Sequence, residues 1–314
     1  MSPSNNPVAL IVGASRGIGR QVAIDLASNG YSVVVAAKTI SDPSRPVGPF
    51  PPNPNSPAST ITTVAKEITL AGGHATAVQV DVRYPESTQA LISKTLSTYG
   101  RLDVLVYNSG AIFWGPVSST PLKRFQLMQR INPEGLYATL EAALPHLRSA
   151  PNGGRIVVVS PPIYSRFFRG KTAYAMGKVG MSVLTKGLAM DFEREGSKDM
   201  AITSIWPAVA IESGATEQFT RDNPSELNDL RKATIFSDAI LAILSAPTSV
   251  VNGELLLDED FLRDHEGVTD FSKYNVVPGT TPRRMLPQKL PDLTVAEQDD
   301  EGDRRDSTKK KAKL

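Results

Sequence analysis

The stretch VALIVGASRGIGR, residues 8–20, decides the fold of this chain. Its apolar half, Val8–Val12, predicts a buried strand, and Gly17–Ser28 predicts a helix that ends at Asn29-Gly30. Glycines in the turn between them let the backbone bend sharply and approach a phosphate group at the positive end of the helix. A turn that serves packing alone is the alternative. The residues that the turn offers to a nucleotide are Gly13, Ser15, Arg16, Gly17, Ile18 and Gly19.

Strands and helices alternate along the chain outward from this unit. Further strands are predicted at Val33–Ala37, in the segment that ends at Asp81, and at Leu102–Tyr107, Arg155–Ser160, Ala201–Trp206 and Glu254–Asp258. Helices are predicted at Thr60–Leu70, Glu86–Tyr99, Pro121–Arg148 with an interruption at Pro133, Thr172–Glu195 and around Asp238–Leu244. The alternation predicts a single Rossmann-type, doubly wound α/β domain over residues 1–293, with a parallel sheet of about seven strands flanked by helices.

Two segments differ in composition from this α/β pattern. Residues 42–57 carry seven prolines and predict an extended surface loop, because proline has no backbone donor. Residues 294–314 are polar and charged, and predict a disordered tail. The tail ends in Ala312-Lys313-Leu314, which is similar to the Ser-Lys-Leu address and indicates the peroxisomal import receptor as a partner and the peroxisome, otherwise the cytoplasm, as the location. A lysine-rich tail that ends in leucine by chance is the alternative.

Composition excludes several classes of function. The 314 residues carry a formal net charge of +2, which gives no reason to expect a nucleic-acid partner. The chain has no cysteine, so disulfides, thiol nucleophiles and thiolate metal sites are excluded. Its three histidines are not spaced as metal ligands, and no metal site is predicted. The N-terminus lacks the pattern of a secretory signal, and no apolar run approaches the roughly 18–20 residues that cross a membrane.

The end of the second strand indicates which nucleotide binds. Sites for NAD usually place an acidic residue there for the ribose hydroxyls, but this strand ends in Ala36-Ala37-Lys38-Thr39. Arg16 and Lys38 can together neutralise a 2′-phosphate, which an acidic residue would repel. The sequence therefore favours NADP(H), although either residue could be a solvated surface charge.

A pair of residues on a later helix predicts proton transfer. Tyr174 and Lys178 are four residues apart and so lie on one helix face. A tyrosine pKa near 10 is too high for efficient acid–base chemistry at neutral pH, and a nearby ammonium favours the phenolate and lowers that pKa. Tyr174 is therefore predicted to be a general acid or base, with Lys178 beside it. An isolated pair of this kind is more often a surface pair, and it is the α/β context that favours the catalytic interpretation.

These motifs resemble the short-chain dehydrogenase/reductase family, whose first turn has the same G-x-x-x-G-x-G spacing and whose later helix carries Y-x-x-x-K. The resemblance implies hydride transfer between a nicotinamide and a carbonyl or alcohol substrate. It also implies reacting-site roles for Asn132, in a proton relay through water, and for Ser160, as a donor to the substrate oxygen. Pro133 is expected to kink the helix beside that water. The further cofactor contacts that it implies are Asp81, Asn108, Gly110, Tyr174, Lys178, Pro207, Ile211 and Ser213.

The chain departs from the family pattern at several positions. Val12 replaces a threonine, Tyr107 an asparagine and Ala208 a glycine. Many members have the serine 13 residues before the tyrosine, a position that Pro161 occupies here, so Ser160 must reach the site through a loop one residue longer. Ser165 is a weaker candidate for the same role.

Longer stretches resemble one branch of the family, the hydroxysteroid dehydrogenase-like protein 2 group. These stretches are AAKT at 36–39, LMQRINPEG at 127–135, VVVSPP at 157–162 and IWPAVAIES at 205–213. The resemblance covers roughly residues 6–290 and implies a peroxisomal, lipid-linked reductase. The long helices Pro121–Arg148 and Thr172–Glu195 could pair across a two-fold axis, and a homo-oligomer is expected on that ground. Two alternatives stay open: a cofactor-binding scaffold whose chemistry has been lost, and a tailoring ketoreductase of secondary metabolism.

Overall fold

The computed structural model describes residues 6–42, 53 and 55–294. Its centre is one seven-stranded sheet in the order β3-β2-β1-β4-β5-β6-β7, with every neighbouring pair parallel. The predicted fold class, a single Rossmann-type α/β domain, is therefore confirmed. The strands are β1 Val8–Val12, β2 Ser32–Ala37, β3 His74–Gln79, β4 Val104–Tyr107, β5 Arg155–Val159, β6 Ala201–Trp206 and β7 Leu255–Leu257.

Helices cover both faces of the sheet, because alternate strand residues point to opposite sides. In β1, Ala9 and Ile11 pack against the helix layer of α1 and α8, whereas Leu10 packs against the layer of α3, α5 and α6. The helices are α1 Gly17–Ser28, α2 Ile61–Leu70, α3 Pro85–Tyr99, α4 Leu122–Ile131, α5 Pro133–Leu147, α6 Thr172–Arg194, α7 Glu217–Asp222, α8 Thr234–Ser245, α9 Thr248–Val251 and α10 Asp258–Glu266.

The strand order creates a switch point between β1 and β4. The chain leaves β1 toward β2 and β3 on one side, then returns to place β4 on the other side of β1. Loops after neighbouring strands diverge at such a point and leave a crevice at the carboxyl ends of the strands, where ligands of this fold class bind.

The long helix predicted over Pro121–Arg148 is two helices. α4 ends at Ile131, α5 begins at Pro133, and Asn132 lies between them with φ −77° and ψ −82°. Proline is tolerated as the first residue of a helix because its missing donor would have had no helical partner. The predicted interruption is confirmed, and it is sharp enough to end one helix and begin another.

Three short helices, α7, α9 and α10, were not predicted from the sequence. None of the helices in the described ranges is both long and apolar enough to cross a bilayer. Most of the proline-rich insertion and the segment 295–314 lie outside the described residues. The predictions of a surface loop, a disordered tail and a peroxisomal address at Ala312-Lys313-Leu314 therefore stay predictions.

Candidate active site

The glycine turn is packed against the end of β4. Gly13 has φ +93°, and a Cβ there would lie 2.6 Å from the backbone nitrogen of Ser109. A Cβ on Gly19 would collide with the Gly13 carbonyl oxygen and approach the Asn108 side chain. That side chain donates from Nδ2 to the Gly13 carbonyl oxygen at 2.9 Å. These three residues hold β1, α1 and β4 together, and Asn108 supports the turn from beneath.

Gly17 lies at the open side of the turn, with φ +55°. A Cβ there would lie 3.1 Å from Oδ1 of Asn55 and 3.6 Å from Cβ of Ser213. Asn55 is 4% exposed, and its Oδ1 has no hydrogen-bond partner among the described residues. Nearby, Ser59 donates from Oγ to the Ser15 carbonyl oxygen at 2.6 Å. Asn55, at the end of the proline-rich insertion, and Ser59, just after it, thus line the turn, which sequence reasoning missed.

The first turn of α1 fits an anionic group. Arg16, the N-cap, makes no side-chain capping bond, and the first turn has no acidic residue. The positive end of the helix and its unpaired N–H groups favour a phosphate there. Ile18, in that turn, packs against the core. The unpartnered Oδ1 of Asn55 adds to the fit, since half a rotation of the amide would present its NH₂ group as a donor at that position.

Basic residues gather at the ends of β2 and β3. Nζ of Lys38 lies 3.6 Å from Oδ2 of Asp81. Asp81 accepts from Nε and Nη2 of Arg83 at 2.8 Å and 2.5 Å, and this hydrogen-bonded guanidinium lowers the pKa of the carboxyl to about 2. Arg16 is exposed, with Nε 3.8 Å from the position of a Cβ on Gly214. The structure therefore brings Lys38 to Asp81 and to Arg83, a residue that the sequence analysis did not single out.

Tyr174 and Lys178 both lie on the buried face of α6, at 3% and 4% exposure. Nζ of Lys178 donates to the Val159 carbonyl oxygen at the end of β5, at 2.8 Å. It also lies 3.3 Å from the position that a Cβ on Gly110 would take. The predicted pair is therefore no surface pair, and its lysine contacts the ends of β4 and β5.

Asn132 joins the same group from the break between α4 and α5. Its Oδ1 accepts from the Ala111 backbone nitrogen at 2.8 Å, and its Nδ2 donates to the Ala111 carbonyl oxygen at 3.2 Å. The same Oδ1 lies 3.5 Å from the Cβ position on Gly110, which is also beside Lys178. Asn132 thus holds the segment after β4 against the lysine.

The protonation of the pair differs from the expectation. Burial lowers the pKa of Lys178 to about 7 and raises the pKa of the Tyr174 phenol above its ordinary value. The lowered phenol pKa that the sequence analysis expected is not seen, because burial disfavours the phenolate and the ammonium alike. The amine of Lys178 contacts the Val159 carbonyl oxygen, a neutral partner that leaves this cost largely uncompensated.

The structure places the hydroxyl of Ser160 in the core, bonded to β6. Ser160 is 0% exposed, and its Oγ is 2.7 Å from Oγ of Ser204, which is itself 2.7 Å from Oγ1 of Thr185. Thr185 lies eleven residues beyond Tyr174 on α6, about 16 Å along the axis at 1.5 Å per residue. In this structure the Ser160 hydroxyl bonds Ser204 in the core, and its predicted donation to a substrate stays a prediction. Ser165, the weaker candidate, is exposed in a short 3₁₀ helix before α6.

The segment after β6 runs from Trp206 through Pro207 to Ser213, and a hydrogen bond to α10 holds it in place. The buried carboxylate of Asp258, the first residue of α10, accepts from the backbone nitrogen of Ala208 at 2.8 Å. Ile211 pairs with Arg231 in an isolated parallel bridge, and the Ser213 nitrogen donates to Oγ1 of Thr216 at 2.9 Å. Of the residues predicted here, Ser213 reaches the glycine turn, where its Cβ faces Gly17.

Aromatic rings surround Tyr174. The ring of Trp114, after β4, meets it edge-on at 6.3 Å between centroids, and that of Phe167 lies tilted, also at 6.3 Å. Trp114 stacks on Phe219 of α7 at 5.4 Å, and Phe167 packs edge-on against Trp206 at 5.8 Å. Periodicity in the sequence could not show this cluster, because its members come from four separate segments.

Comparisons with known proteins agree on one family. The sequence profile described as short chain dehydrogenase matches residues 7–47 and 55–223. Hydroxysteroid dehydrogenase-like protein 2 of Danio rerio is 38% identical over 271 residues, which are 86% of this chain and 60% of that protein. The human protein of the same name is 34% identical with the same coverage. This chain thus spans about 60% of the length of these curated relatives.

A crystal structure has a similar fold. The protein comes from Xanthomonas campestris and is described as a dehydrogenase. It superposes with a TM-score of 0.77 at 33% identity, covering 95% of this chain and 100% of that one.

Proposed function

The chain belongs to the short-chain dehydrogenase family of oxidoreductases, and on that premise we propose that it is an NADP(H)-dependent enzyme that interconverts a carbonyl and an alcohol. The family resemblance predicted from its motifs is confirmed. One observation carries the proposal: Tyr174 and Lys178 share a buried face of α6, and the lysine contacts the ends of β4 and β5 beside Gly110.

The cofactor is proposed to bind across the β1–β4 switch point. The uncapped first turn of α1 and Gly17 would hold the pyrophosphate, with Ser213 and Asn55 beside it. Lys38 would hold the 2′-phosphate, and the absence of an acidic residue at the end of β2 supports NADP(H) over NAD(H). When bound, the nicotinamide would supply or accept the hydride.

Tyr174 is proposed to give a proton to the substrate oxygen in reduction and to take it back in oxidation. Its pKa is raised by burial, so the phenol is protonated at neutral pH and ready to donate. Loss of that proton leaves a buried phenolate, which an ammonium on Lys178, one turn further along α6, would stabilise. With its pKa at about 7, Lys178 can take up a proton near neutrality, and Asn132 keeps the neighbouring segment in place.

An apolar substrate, lipid-related as in the resemblance, agrees with the walls of this site. Trp114 and Phe219, both nearly half exposed, offer aromatic surface beside Tyr174 and on α7. Such surface binds a hydrocarbon or ring better than a sugar or a nucleotide, because it supplies few polar partners.

A homo-oligomer is part of the proposal, paired through α6. Met176, Val183 and Met190 lie seven residues apart on α6 and are 55%, 58% and 44% exposed. Residues at this spacing form one stripe along a helix, and a second copy of the same stripe would bury it.

A second candidate is a cofactor-binding scaffold without turnover. The observation in its favour is Ser160, whose hydroxyl is buried and bonded to Ser204. Tyr174, Lys178 and Asn132, which remain together, argue for activity.

The test is oxidation of NADPH by the purified protein with a panel of aliphatic and aromatic ketones, beside its Tyr174→Phe variant. We expect turnover that falls by at least about 1,000-fold in the variant, with the dissociation constant for NADPH within about 3-fold of the wild type. Tight NADPH binding without turnover of any ketone would favour the scaffold. Retained activity in Tyr174→Phe would remove Tyr174 from the proposed chemistry.

A further inference from the structure

Lys171 lies at the rim of the aromatic site and takes no part in the chemistry proposed above. It is the N-cap of α6, three residues before Tyr174. Its Nζ lies 4.2 Å from the ring centroid of Phe167 and 5.8 Å from that of Trp114. These are the two rings that flank Tyr174, so the ammonium stands beside the same aromatic walls as the phenol.

The charge of Lys171 has no acidic partner in the described part of the chain. No ion pair joins it to a carboxylate of residues 6–42, 53 or 55–294, although twelve pairs involve other basic residues there. Burial lowers its pKa, and no neighbouring negative charge offsets that effect. Cation–π contacts with the two rings recover part of the cost of taking an ammonium out of water.

Other positively charged residues lie near Lys171. Arg166 and Arg169 are exposed on the segment that leads to Lys171. Arg124 of α4 lies over the ring of Phe113, which packs in the same cluster as Tyr174. The segment that leads to Lys171 and the helix beside the aromatic cluster therefore carry further positive charge.

We propose that Lys171 binds a carboxylate of the substrate, and that the substrate is an apolar oxo acid or hydroxy acid. This rests on the proposed function, because it assigns a substrate class to the same site. The hydrocarbon part lies against the exposed rings of Trp114 and Phe219, its carbonyl reaches Tyr174, and its carboxylate pairs with the ammonium at the rim. A carboxylate suits this position because its single negative charge neutralises the single positive charge of Lys171. Polyphosphates carry more charge and are usually held by helix termini and several donors.

The experiment uses straight-chain oxo acids of increasing length, each paired with its own methyl ester. The ester keeps the carbonyl and the hydrocarbon chain and removes the negative charge. Initial rates with NADPH give kcat/KM for both members of each pair, for the wild type and for Lys171→Met, which keeps the length of the side chain. Lys94→Met is the matched control, because Lys94 is exposed on α3. Lys171→Arg keeps the charge.

We expect the wild type to prefer the acid of the best-fitting length. Lys171→Met should lower kcat/KM for that acid by about 10–100-fold and change the ester by less than about 3-fold, as for loss of one charged hydrogen bond. Lys171→Arg should restore at least part of the preference, and Lys94→Met should leave it unchanged. Equal losses for acid and ester, or no loss for the acid, would overturn the proposal.

Calorimetric titration of the same acids and esters separates the two proposals. If no pair is turned over, the proposed function fails, but acid binding that is lost in Lys171→Met and absent for the ester still supports the carboxylate site. If esters are reduced as well as acids and Lys171→Met binds both equally, the proposed function stands and the carboxylate site does not.

Discussion

The hydroxyl of Ser160, just after β5, lies 2.7 Å from the hydroxyl of Ser204 on β6. Ser204 is also 2.7 Å from the hydroxyl of Thr185, which donates to the Met181 carbonyl oxygen on α6 at 3.1 Å. All three side chains are 0% exposed. They form a buried chain of hydroxyls that joins two strands to the helix carrying Tyr174.

Replacing Ser160 by alanine should therefore affect folding more than catalysis. We expect the free energy of unfolding to fall by about 1–2 kcal/mol, because one buried hydrogen bond is lost, while kcat changes by less than about 3-fold. Urea unfolding and initial rates measure the two effects, with Ser97→Ala, exposed on α3, as the control. A loss of kcat of about 100-fold in Ser160→Ala alone would mean that its hydroxyl does reach the substrate.

Replacing each of two glycines by alanine should change the free energy of unfolding in opposite directions. A Cβ on Gly19 meets the Gly13 carbonyl oxygen and the Asn108 side chain, so Gly19→Ala should lower the free energy of unfolding by about 2–3 kcal/mol. Gly187 lies inside α6, is exposed and has nothing within 4 Å of its Cβ position, so Gly187→Ala should raise it by about 0.5–1 kcal/mol. Denaturant titration of the three proteins tests this, and equal shifts would refute the contact at Gly19.

Lys38→Asp tests the choice of cofactor. The new carboxylate would repel a 2′-phosphate and leave NADH, which lacks that group, almost unaffected. We expect the dissociation constant for NADPH to rise by about 10-fold or more and that for NADH to change by less than about 3-fold. Lys94→Asp is the control for a charge change elsewhere. Equal weakening of both cofactors would remove Lys38 from the phosphate site and direct attention to Arg83.

Asp258 should make the stability depend on pH. Burial raises the pKa of its carboxyl to about 7, above the unfolded value of 3.8. Between those two pH values the folded state binds more protons than the unfolded state, so this group's contribution to stability falls as pH rises from about 4 to about 7. Asp258→Asn keeps an oxygen that accepts from the backbone of Ala208 and Glu259, and removes the titration.

The variant should therefore lose less stability than the wild type between pH 4 and pH 7 and be the more stable of the two at pH 8. Urea midpoints across this range measure the difference, with Asp264→Asn, exposed on the same helix, as the control. Parallel curves for wild type and Asp258→Asn would contradict the raised pKa.

Local sequence patterns predicted most of the strands and helices. Val8–Val12 and Gly17–Ser28 were predicted with their observed bounds, because a fully apolar strand, a glycine turn and a helix end are each marked within a few residues. Helix α10 was missed, because its first turn, Asp258 to Asp260, is acidic in a region where no apolar repeat marks a helix. The acidic residues suit the N-terminal end of a helix, a signal that could have predicted it.

The sequence could predict those site residues whose relative positions are set within a single helix. Tyr174 and Lys178 follow from helical spacing within an α/β pattern, and the structure brings Asn132 to the same lysine. Ser160 could not be placed that way, because its direction depends on how β5 pairs with β6 and on which face α6 covers. Asn55 and Lys171 owe their positions to loops that contact the site only in three dimensions.

Both tryptophans of this chain, Trp114 and Trp206, lie at the site. One ring meets Tyr174 edge-on, and the other lies 5.5 Å from Nζ of Lys178. The intrinsic fluorescence of the protein therefore comes from two indoles that would both sense an occupant. Tryptophan emission, excited at one wavelength and recorded at another, could report the binding of cofactor and substrate in real time. No dye would be needed, and no indole elsewhere in the chain would add background.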